Sequence, residues 1–221
     1  DARASEFLDV IREAGITPGM TIVDVPSGGA YLSRYLGETE LVGLETSPTF
    51  AELAAARGQD VILYENNRFP LQNACVDRVL SIAGLHHIRD KRTVFSEMRR
   101  ILNPGGRIVV ADVAGDSFVR SFLDDFVGNY CDTGHSGWYF GATTRSELHD
   151  AGLNIVNDKR LDYSWYAPDI DQLADFCKLL FGMVHADTKT IAAGICKHLG
   201  IHEAGDQVGL NWQLHCFVCE P

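Results

Sequence analysis

Short apolar segments alternate with helical segments through the first half of the chain, and this alternation limits the fold more than any other feature. The strand-like runs lie at 20–25, 40–45, 60–64, 76–83 and 107–113. The segments with helical spacing lie at 5–14, 29–36, 48–57 and 90–102. Strands that alternate with helices form a parallel sheet that is covered on both faces. The first 113 residues therefore predict a doubly wound α/β domain.

The second half of the chain has a different pattern. Helices are predicted over 117–130, 143–151, 169–184 and 187–199, strands over 153–161 and 208–219, and a Gly-rich loop over 131–142. A mainly helical insertion, at about 162–206, therefore precedes the last strand. A connection that long in a compact domain is typical of a lid, a cap or an interface element.

The stretch IVDVPSGGAYLSRYL, residues 22–36, places an acid near the end of a buried strand and glycines directly after it. A buried charge is costly unless it is paired, and glycines let a ligand approach the backbone. Glu45 follows Asp24 by 21 positions (45 − 24), at the end of the second strand. In an open α/β sheet an acid at that place accepts hydrogen bonds from ribose hydroxyls. The pair predicts a site for an adenosine-bearing ligand.

Two common nucleotide motifs are missing from this turn. A dinucleotide site uses G-x-G-x-x-G, and Pro26-Ser27-Gly28-Gly29-Ala30-Tyr31 does not fit that pattern. A P-loop needs a Lys after its glycines, and this turn has none. The ligand is therefore expected to be adenosine-bearing without a phosphate cradle.

The chain resembles the class I S-adenosylmethionine-dependent methyltransferases in the order and spacing of several motifs. The family's acid-x-Gly-x-Gly-x-Gly run is represented by Asp24-Val25-Pro26-Ser27-Gly28-Gly29-Ala30, and the ribose-binding acid by Glu45 in VGLETS. YENNRFPLQNACVD at 64–77, VLSIAGLHHI at 79–88 and EMRRILNPGGRIVVADV at 97–113 match the later motifs. The resemblance covers about residues 5–115 well and 143–161 loosely.

The resemblance implies a Rossmann-like fold, with a mostly parallel seven-stranded sheet, helices on both faces and the helical insertion before the last strand. It implies one domain over residues 1–221, with a cofactor-binding half at 1–115 and an acceptor-binding half at 116–221. The implied cofactor is S-adenosyl-L-methionine. By the same match Glu65 would meet the adenine amino group, and the backbone N–H of Asn66 a ring nitrogen. The full set of expected cofactor-binding residues is Asp24, Pro26, Ser27, Gly28, Glu45, Thr46, Glu65, Asn66 and Ala83.

The glycine loop departs from the family pattern at two positions. Pro26 and Ala30 replace two of its glycines, and Pro26 removes one backbone N–H donor. Gly28 and both acids remain, so cofactor binding is still expected. The departure leaves open whether the methyl group is held as in the standard enzymes.

Three residues are candidates for the acceptor side. His87 follows the fourth strand, and His135 lies in the segment NYCDTGHSGWYFG beside Asp132. In related small-molecule enzymes the segment after the fifth strand lines the acceptor pocket, which makes His135 the candidate base and Tyr139 a residue that stacks on a planar acceptor. The alternatives are a loop histidine that caps backbone, a structural role for His87, and an aromatic plug.

Composition limits the partners and the compartment. The formal charge of −11, from 30 acids and 19 bases, disfavours a nucleic-acid or anionic-membrane surface. Arg89, Lys91, Arg92, Arg99 and Arg100 form a local basic patch that reads as a solvated helix face. No apolar run reaches the ~18–20 residues of a membrane span.

Six cysteines lie scattered in apolar segments and indicate free thiols in a reducing, cytoplasmic compartment. Cys216-Phe-Val-Cys219 has metal-knuckle spacing without a second pair, and in a strand its two side chains point to opposite faces. We therefore predict no metal site.

The function predicted from the sequence is methyl transfer to a small-molecule metabolite by a monomer or homodimer. Two alternatives stay open. One is a reaction other than methylation, a cyclisation or a transfer of a modified group, with the same bound cofactor. The other is an inactive partner subunit that keeps the methyltransferase-like body.

Overall fold

The centre of the molecule is an eight-stranded sheet, seen in a computed structural model that describes residues 2–65 and 68–221. The strand order is β3-β2-β1-β4-β5-β8-β6, and β7 pairs with β8. The strands are β1 (Thr21–Asp24), β2 (Glu40–Glu45), β3 (Val61–Leu63), β4 (Val76–Ile82), β5 (Leu102–Asp112), β6 (Asn154–Ala167), β7 (Ile201–Ala204) and β8 (Gln207–Glu220).

Helices cover the sheet and carry local signals for their ends. They are α1 (Ala4–Ala14), α2 (Pro48–Ala55), α3 (Arg92–Ile101), α4 (Phe118–Ser121), α5 (Ala142–Asp150), α6 (Ile170–Phe181) and α7 (Thr188–His198). The side chains of Asp169 and Asp187 accept the backbone N–H at the starts of α6 and α7. After α4 the chain continues through a π-helical turn, Phe122–Phe126, and a 3₁₀ turn, Val127–Asn129. None of the described helices is long and apolar enough to cross a bilayer.

The direction of the strands brings the functional candidates to one edge. β1 to β5 run parallel, and β8 is antiparallel to β5, β6 and β7, so β8 alone is reversed. This confirms the mostly parallel α/β sheet predicted from the sequence. The carboxyl ends of β1, β2, β4 and β5 therefore share an edge, where ligands of open α/β sheets bind.

Several elements differ from the sequence predictions. The predicted helix at 29–36 is only a 3₁₀ helix, Tyr31–Tyr35. The insertion is helical over 170–198 rather than 162–206, because β6 continues to Ala167 along β8 and β7 forms a hairpin with β8. That hairpin strand brings the sheet to eight strands instead of seven.

The core has one apolar cluster on each face of the sheet. Cys216 belongs to one cluster and Cys219 to the other, and both are 0% exposed. Burial raises the pKa of each of these thiols to about 12. All six cysteines are free, as predicted. The two thiols of this knuckle-like spacing therefore lie on opposite faces and do not share a metal.

Candidate active site

Asp24 and Glu45 lie at the carboxyl ends of neighbouring parallel strands. Asp24 pairs with Gly43, two residues before Glu45 on β2, which puts both carboxyl groups at one edge of the sheet. Their residues are only 5% and 3% exposed. The two acids therefore lie at neighbouring strand ends, and their sharing of one ligand site stays a prediction.

The Glu45 carboxylate is held by backbone N–H groups. Its Oε2 accepts from the Gly28 N–H at 2.7 Å, and its Oε1 accepts from Thr46 at 2.7 Å and from Ser47 at 3.0 Å. These bonds tie the 26–30 loop to the end of β2. Oε1 also accepts from the Thr46 hydroxyl at 3.4 Å, whereas Oε2 accepts only from Gly28 among the described residues. Because each carboxylate oxygen has two lone pairs, one position on Oε2 remains for an incoming hydroxyl.

Asp24 has the opposite environment. No hydrogen bond reaches its carboxyl group from any of the residues that the structure describes, although the residue is almost fully buried. Burial, and secondarily the charge of Glu45, raise the pKa of Asp24 to about 8. A buried acid without a hydrogen-bond partner is rare in a purely structural role, and a cationic donor would satisfy it.

The loop after β1 folds back over β2. The Ser27 N–H donates to the Leu44 carbonyl at 2.9 Å, and a Cβ on Gly43 would lie 3.2 Å from Ser27 Oγ. Ser27 Oγ is buried and has no hydrogen-bond partner among the described residues. Gly28 and Ala30 have left-handed φ values of 53° and 56°. Ala30 thus keeps a conformation in which glycine carries less strain.

The exit of β4 packs directly against this loop. Ala83 has a φ of 52° and donates its N–H to the Ala111 carbonyl at 2.8 Å. A Cβ on Gly84 would come within 2.4 Å of Pro26 Cγ. Gly84 is therefore required for the close contact between the β4 exit and the loop that carries Ser27 and Gly28.

Gly84→Ala is expected to lower the free energy of unfolding by about 1–3 kcal/mol and to weaken ligand binding at the loop, because the added methyl displaces Pro26. Gly37→Ala is the matched control, since nothing lies within 4 Å of a Cβ at that position. Thermal melting of both variants measures the difference. Equal shifts in the two variants would show that the Gly84–Pro26 contact is unimportant.

The remaining predicted cofactor residues have more exposed side chains or lie outside the described residues. Thr46 and Glu65 are exposed, and Thr46 contributes its backbone N–H to Glu45. Asn66 lies outside the described residues. The structure thus brings together Asp24, Pro26, Ser27, Gly28, Glu45, Thr46 and Ala83.

A buried acid–histidine pair lies at the carboxyl end of β5. Asp112, the last residue of β5, lies 2.7 Å through Oδ1 from His86 Nδ1 and accepts the N–H groups of Leu85, His86 and Val113. Burial raises the pKa of Asp112, but His86 and the donated hydrogen bonds outweigh it and lower the pKa. Burial likewise lowers the pKa of His86, and Asp112 raises it above the ordinary value.

The three predicted acceptor-side residues lie beside this pair. The His87 ring is 4.1 Å from the His86 ring and 5.8 Å from the His135 ring, measured between centroids. His135 Nδ1 lies 3.2 Å from Asp124 Oδ1, and the Tyr139 hydroxyl donates to the same oxygen. Burial lowers the pKa of His135, and burial together with the charge of His86 lowers the pKa of His87 to about 4.

Lys91 fixes the loop that carries these residues, contrary to the sequence prediction of a solvated basic face. Lys91 is only 2% exposed, and its ammonium group donates to the carbonyls of Ile88 at 2.8 Å and Trp138 at 2.7 Å. The Trp138 N–H in turn donates to the His86 carbonyl at 2.7 Å. The aromatic loop is thereby attached to the β4 exit.

Sequence reasoning missed three members of this group: Asp112, Asp124 and His86. Asp112 carries the same signal as Asp24, an acid at the end of an apolar strand, and could have been found by it. Asp124 has no such signal, because it meets His135 only through the fold of the 118–140 segment. His86 was noticed only as part of a His-His pair.

Comparison with known proteins agrees with this geometry. Residues 23–110 match the family model of a methyltransferase domain. The methyltransferase GfsG of Streptomyces halstedii is 32% identical over 122 residues, which are 50% of this chain and 42% of the relative. The cattle protein named "Probable tRNA methyltransferase 9B" is 27% identical over 96 residues, 42% of this chain and 21% of the relative. The chain thus spans less than half of the length of these two relatives.

The fold also matches solved structures. A protein of Bacillus halodurans C-125 assigned as a methyltransferase superposes with a TM-score of 0.68 at 14% identity, covering 98% of both chains. At this identity the likeness concerns the fold alone. The segment that matches the family model, residues 23–110, lies within residues 21–112, which hold β1 to β5.

Proposed function

This chain belongs to the class I S-adenosylmethionine-dependent methyltransferases, and from that premise we propose that it transfers a methyl group to a small-molecule acceptor. One observation carries the proposal: Asp24 is buried at the strand end next to Glu45, and its carboxyl group has no hydrogen-bond partner in the described part of the chain. A ligand with one cationic group and a hydroxylated ribose fits this pair of acids.

The residues at the strand ends fit the cofactor group by group. Asp24 would accept a hydrogen bond from the cationic amino group, which supplies the partner that the buried carboxyl lacks. The free acceptor position of Glu45 would take one ribose hydroxyl. Oε1 already accepts three hydrogen bonds, so a second hydroxyl on Oε2 would have to replace the Gly28 N–H, and the loop is expected to shift if both hydroxyls bind. The Ser27 hydroxyl, which has no hydrogen-bond partner among the residues that the structure describes, lies in the same loop.

The protein contributes mainly the alignment of the two reactants and one side chain, His135, on the acceptor side. When bound, S-adenosylmethionine supplies a methyl carbon that is already a strong electrophile. Alignment of a nucleophile with that carbon can account for most of the acceleration. We propose that His135, held through Nδ1 by Asp124 and flanked by Tyr139 and His87, faces the acceptor and assists removal of its proton.

The acceptor is proposed to be a neutral or cationic metabolite. The formal charge of −11 opposes binding to a nucleic-acid backbone. Trp138 is 49% exposed beside His86 and offers an aromatic surface for a small planar group. A competing acceptor is tRNA, because one of the relatives is named as a tRNA methyltransferase.

The experiment is to mix the chain with S-adenosylmethionine and either a pool of metabolites below about 1 kDa or bulk tRNA, and to measure S-adenosylhomocysteine. We expect release with the metabolite pool and none with tRNA. Release with tRNA alone would contradict the small-molecule proposal. Consumption of a metabolite without release would favour the alternative of a cyclisation or modified-group transfer. Binding without any reaction in either pool would favour the inactive partner subunit.

A further inference from the structure

Three imidazole rings meet beside the exit of β4. One ring nitrogen each of His86, His87 and His135 lies within 4.8 Å of the other two. His86 is buried, His135 is half-buried and His87 is exposed, so the group is open to solvent on one side. Three histidines with one open side form a ligand set that suits a catalytic zinc ion.

Two of the three rings are already oriented by carboxylates. His86 Nδ1 lies 2.7 Å from Asp112, and His135 Nδ1 lies 3.2 Å from Asp124. A carboxylate partner favours the proton on Nδ1, which leaves the lone pair of Nε2 free on each ring. Metal-bound histidines are commonly held in this way, because the outer carboxylate fixes both the tautomer and the ring orientation.

We propose that His86, His87 and His135 bind a divalent cation of the Zn²⁺ type, with a fourth coordination position open to solvent beside His87. Zinc–nitrogen bonds of about 2.0–2.1 Å in tetrahedral geometry separate the ligand nitrogens by about 3.4 Å. The side chains therefore need to close by about 1.4 Å or less from the observed limit of 4.8 Å. Neutral imidazole favours zinc over Mg²⁺ or Ca²⁺, which take oxygen ligands.

The site also indicates the class of acceptor, an inference that rests on the proposed methyl transfer. With the cation bound, His135 acts as a ligand instead of a base, and a thiol or hydroxyl at the open position loses its proton to solvent, because a divalent cation lowers the pKa of a group that it coordinates. The lone pair of that sulfur or oxygen then forms the bond to the methyl carbon. The carbon–sulfur bond of the cofactor breaks at the same time, and its electron pair stays on the cofactor's sulfur. The acceptor class is a small molecule with a coordinating thiol or hydroxyl group.

Metal titration tests the site without any need for the acceptor. The chain, freed of metals by a chelator, is titrated with Zn²⁺ in a calorimeter and with Co²⁺ under visible absorption. We expect one saturable site and the intense bands of tetrahedral Co²⁺. His87→Ala and His135→Ala should each weaken Zn²⁺ binding at least about 100-fold, and Asp124→Asn about 10- to 100-fold. His149→Ala is the control, because His149 is exposed on α5 and outside the trio.

The outcomes separate this inference from the proposed function. No saturable Zn²⁺ site, or a site equally strong in wild type, His87→Ala and His135→Ala, would overturn the metal proposal. S-adenosylmethionine binding is measured on every variant and also serves as the check of folding. If it persists while Zn²⁺ binding fails, only the metal site is lost. If Zn²⁺ binds and S-adenosylmethionine does not, the metal site stands and the methyl-transfer proposal fails.

Discussion

Asp24→Asn is expected to weaken S-adenosylmethionine binding about 10- to 100-fold at about pH 7.5, the loss typical of a hydrogen bond to a charged group. Asp24 is 5% exposed, and its carboxyl group has no partner within residues 2–65 and 68–221. Asn keeps the shape of the side chain but carries no negative charge for the cationic amino group of the ligand. Titration calorimetry of the two proteins measures the difference.

The same substitution is expected to stabilise the ligand-free protein. Burial, and then the charge of Glu45, raise the pKa of Asp24 to about 8, compared with an ordinary value of about 3.9. Because the folded state holds this proton more tightly than the unfolded state, the stability is fully present below about pH 4 and is lost as the pH rises toward about 8. The Asp24→Asn variant does not titrate here, so its advantage in melting temperature should grow across this range.

Asp206→Asn is the matched control for both measurements. Asp206 is exposed in the turn between β7 and β8, so removing its charge should leave binding and melting unchanged. Wild-type affinity should also rise with pH up to about 8, whereas the affinity of Asp24→Asn should vary less. Equal affinity in wild type and Asp24→Asn, or melting temperatures with the same pH dependence, would contradict the assignment of Asp24.

His135→Ala is expected to lower kcat by about 10²- to 10⁴-fold while the affinity for S-adenosylmethionine changes little. The ring of His135 is fixed at Nδ1 by Asp124, and its centroid lies 5.6 Å from the His86 ring and 5.8 Å from the His87 ring. The substitution therefore removes an acceptor-side group and leaves the proposed cofactor site. Single-turnover kinetics with saturating cofactor separate the chemical step from binding.

Asp124→Asn provides an intermediate case. Asp124 accepts a hydrogen bond from the Tyr139 hydroxyl and lies beside His135 Nδ1. Loss of its carboxylate should therefore disturb the orientation of both side chains but leave the imidazole in place. We expect a smaller fall in kcat than in His135→Ala. His149→Ala, on the exposed side of α5, should have wild-type turnover. A His135→Ala enzyme with the wild-type rate would remove His135 from the mechanism.

The sequence could predict those parts of the site that depend only on the strand in which a residue lies. Asp24 and Glu45 each end a short apolar strand, and parallel pairing of two such strands brings their ends to one edge whatever the rest of the fold does. The alternation of apolar and helical segments predicted β1 to β5, and the order and spacing of the motifs predicted the family that matches residues 23–110. Where the glycine loop departs from the family, the prediction of a full helix at 29–36 was wrong, because the chain there forms only a 3₁₀ helix.

The sequence named His87, His135 and Tyr139 for the acceptor side, but their partners Asp112, Asp124 and His86 could not be predicted, because these contacts join distant segments. The rings of His135 and His86 lie 5.6 Å apart, between centroids. The loop that carries His135 is held at the β4 exit by hydrogen bonds between Lys91 and Trp138 and between Trp138 and His86. Nothing in the local sequence around Lys91 distinguishes a buried ammonium group from a solvated one. The hairpin of β7 was missed for a related reason, since a strand of four residues gives too short a pattern beside two helices.

A crystal structure of the chain with S-adenosylhomocysteine tests the central claim most directly. The account predicts the ligand at the carboxyl ends of β1 and β2, with its amino group within hydrogen-bond distance of Asp24 and a ribose hydroxyl on Glu45. It also predicts that the 26–30 loop moves if both hydroxyls bind Glu45. Density for the ligand elsewhere, or an Asp24 carboxyl that remains without a partner in the complex, would contradict it.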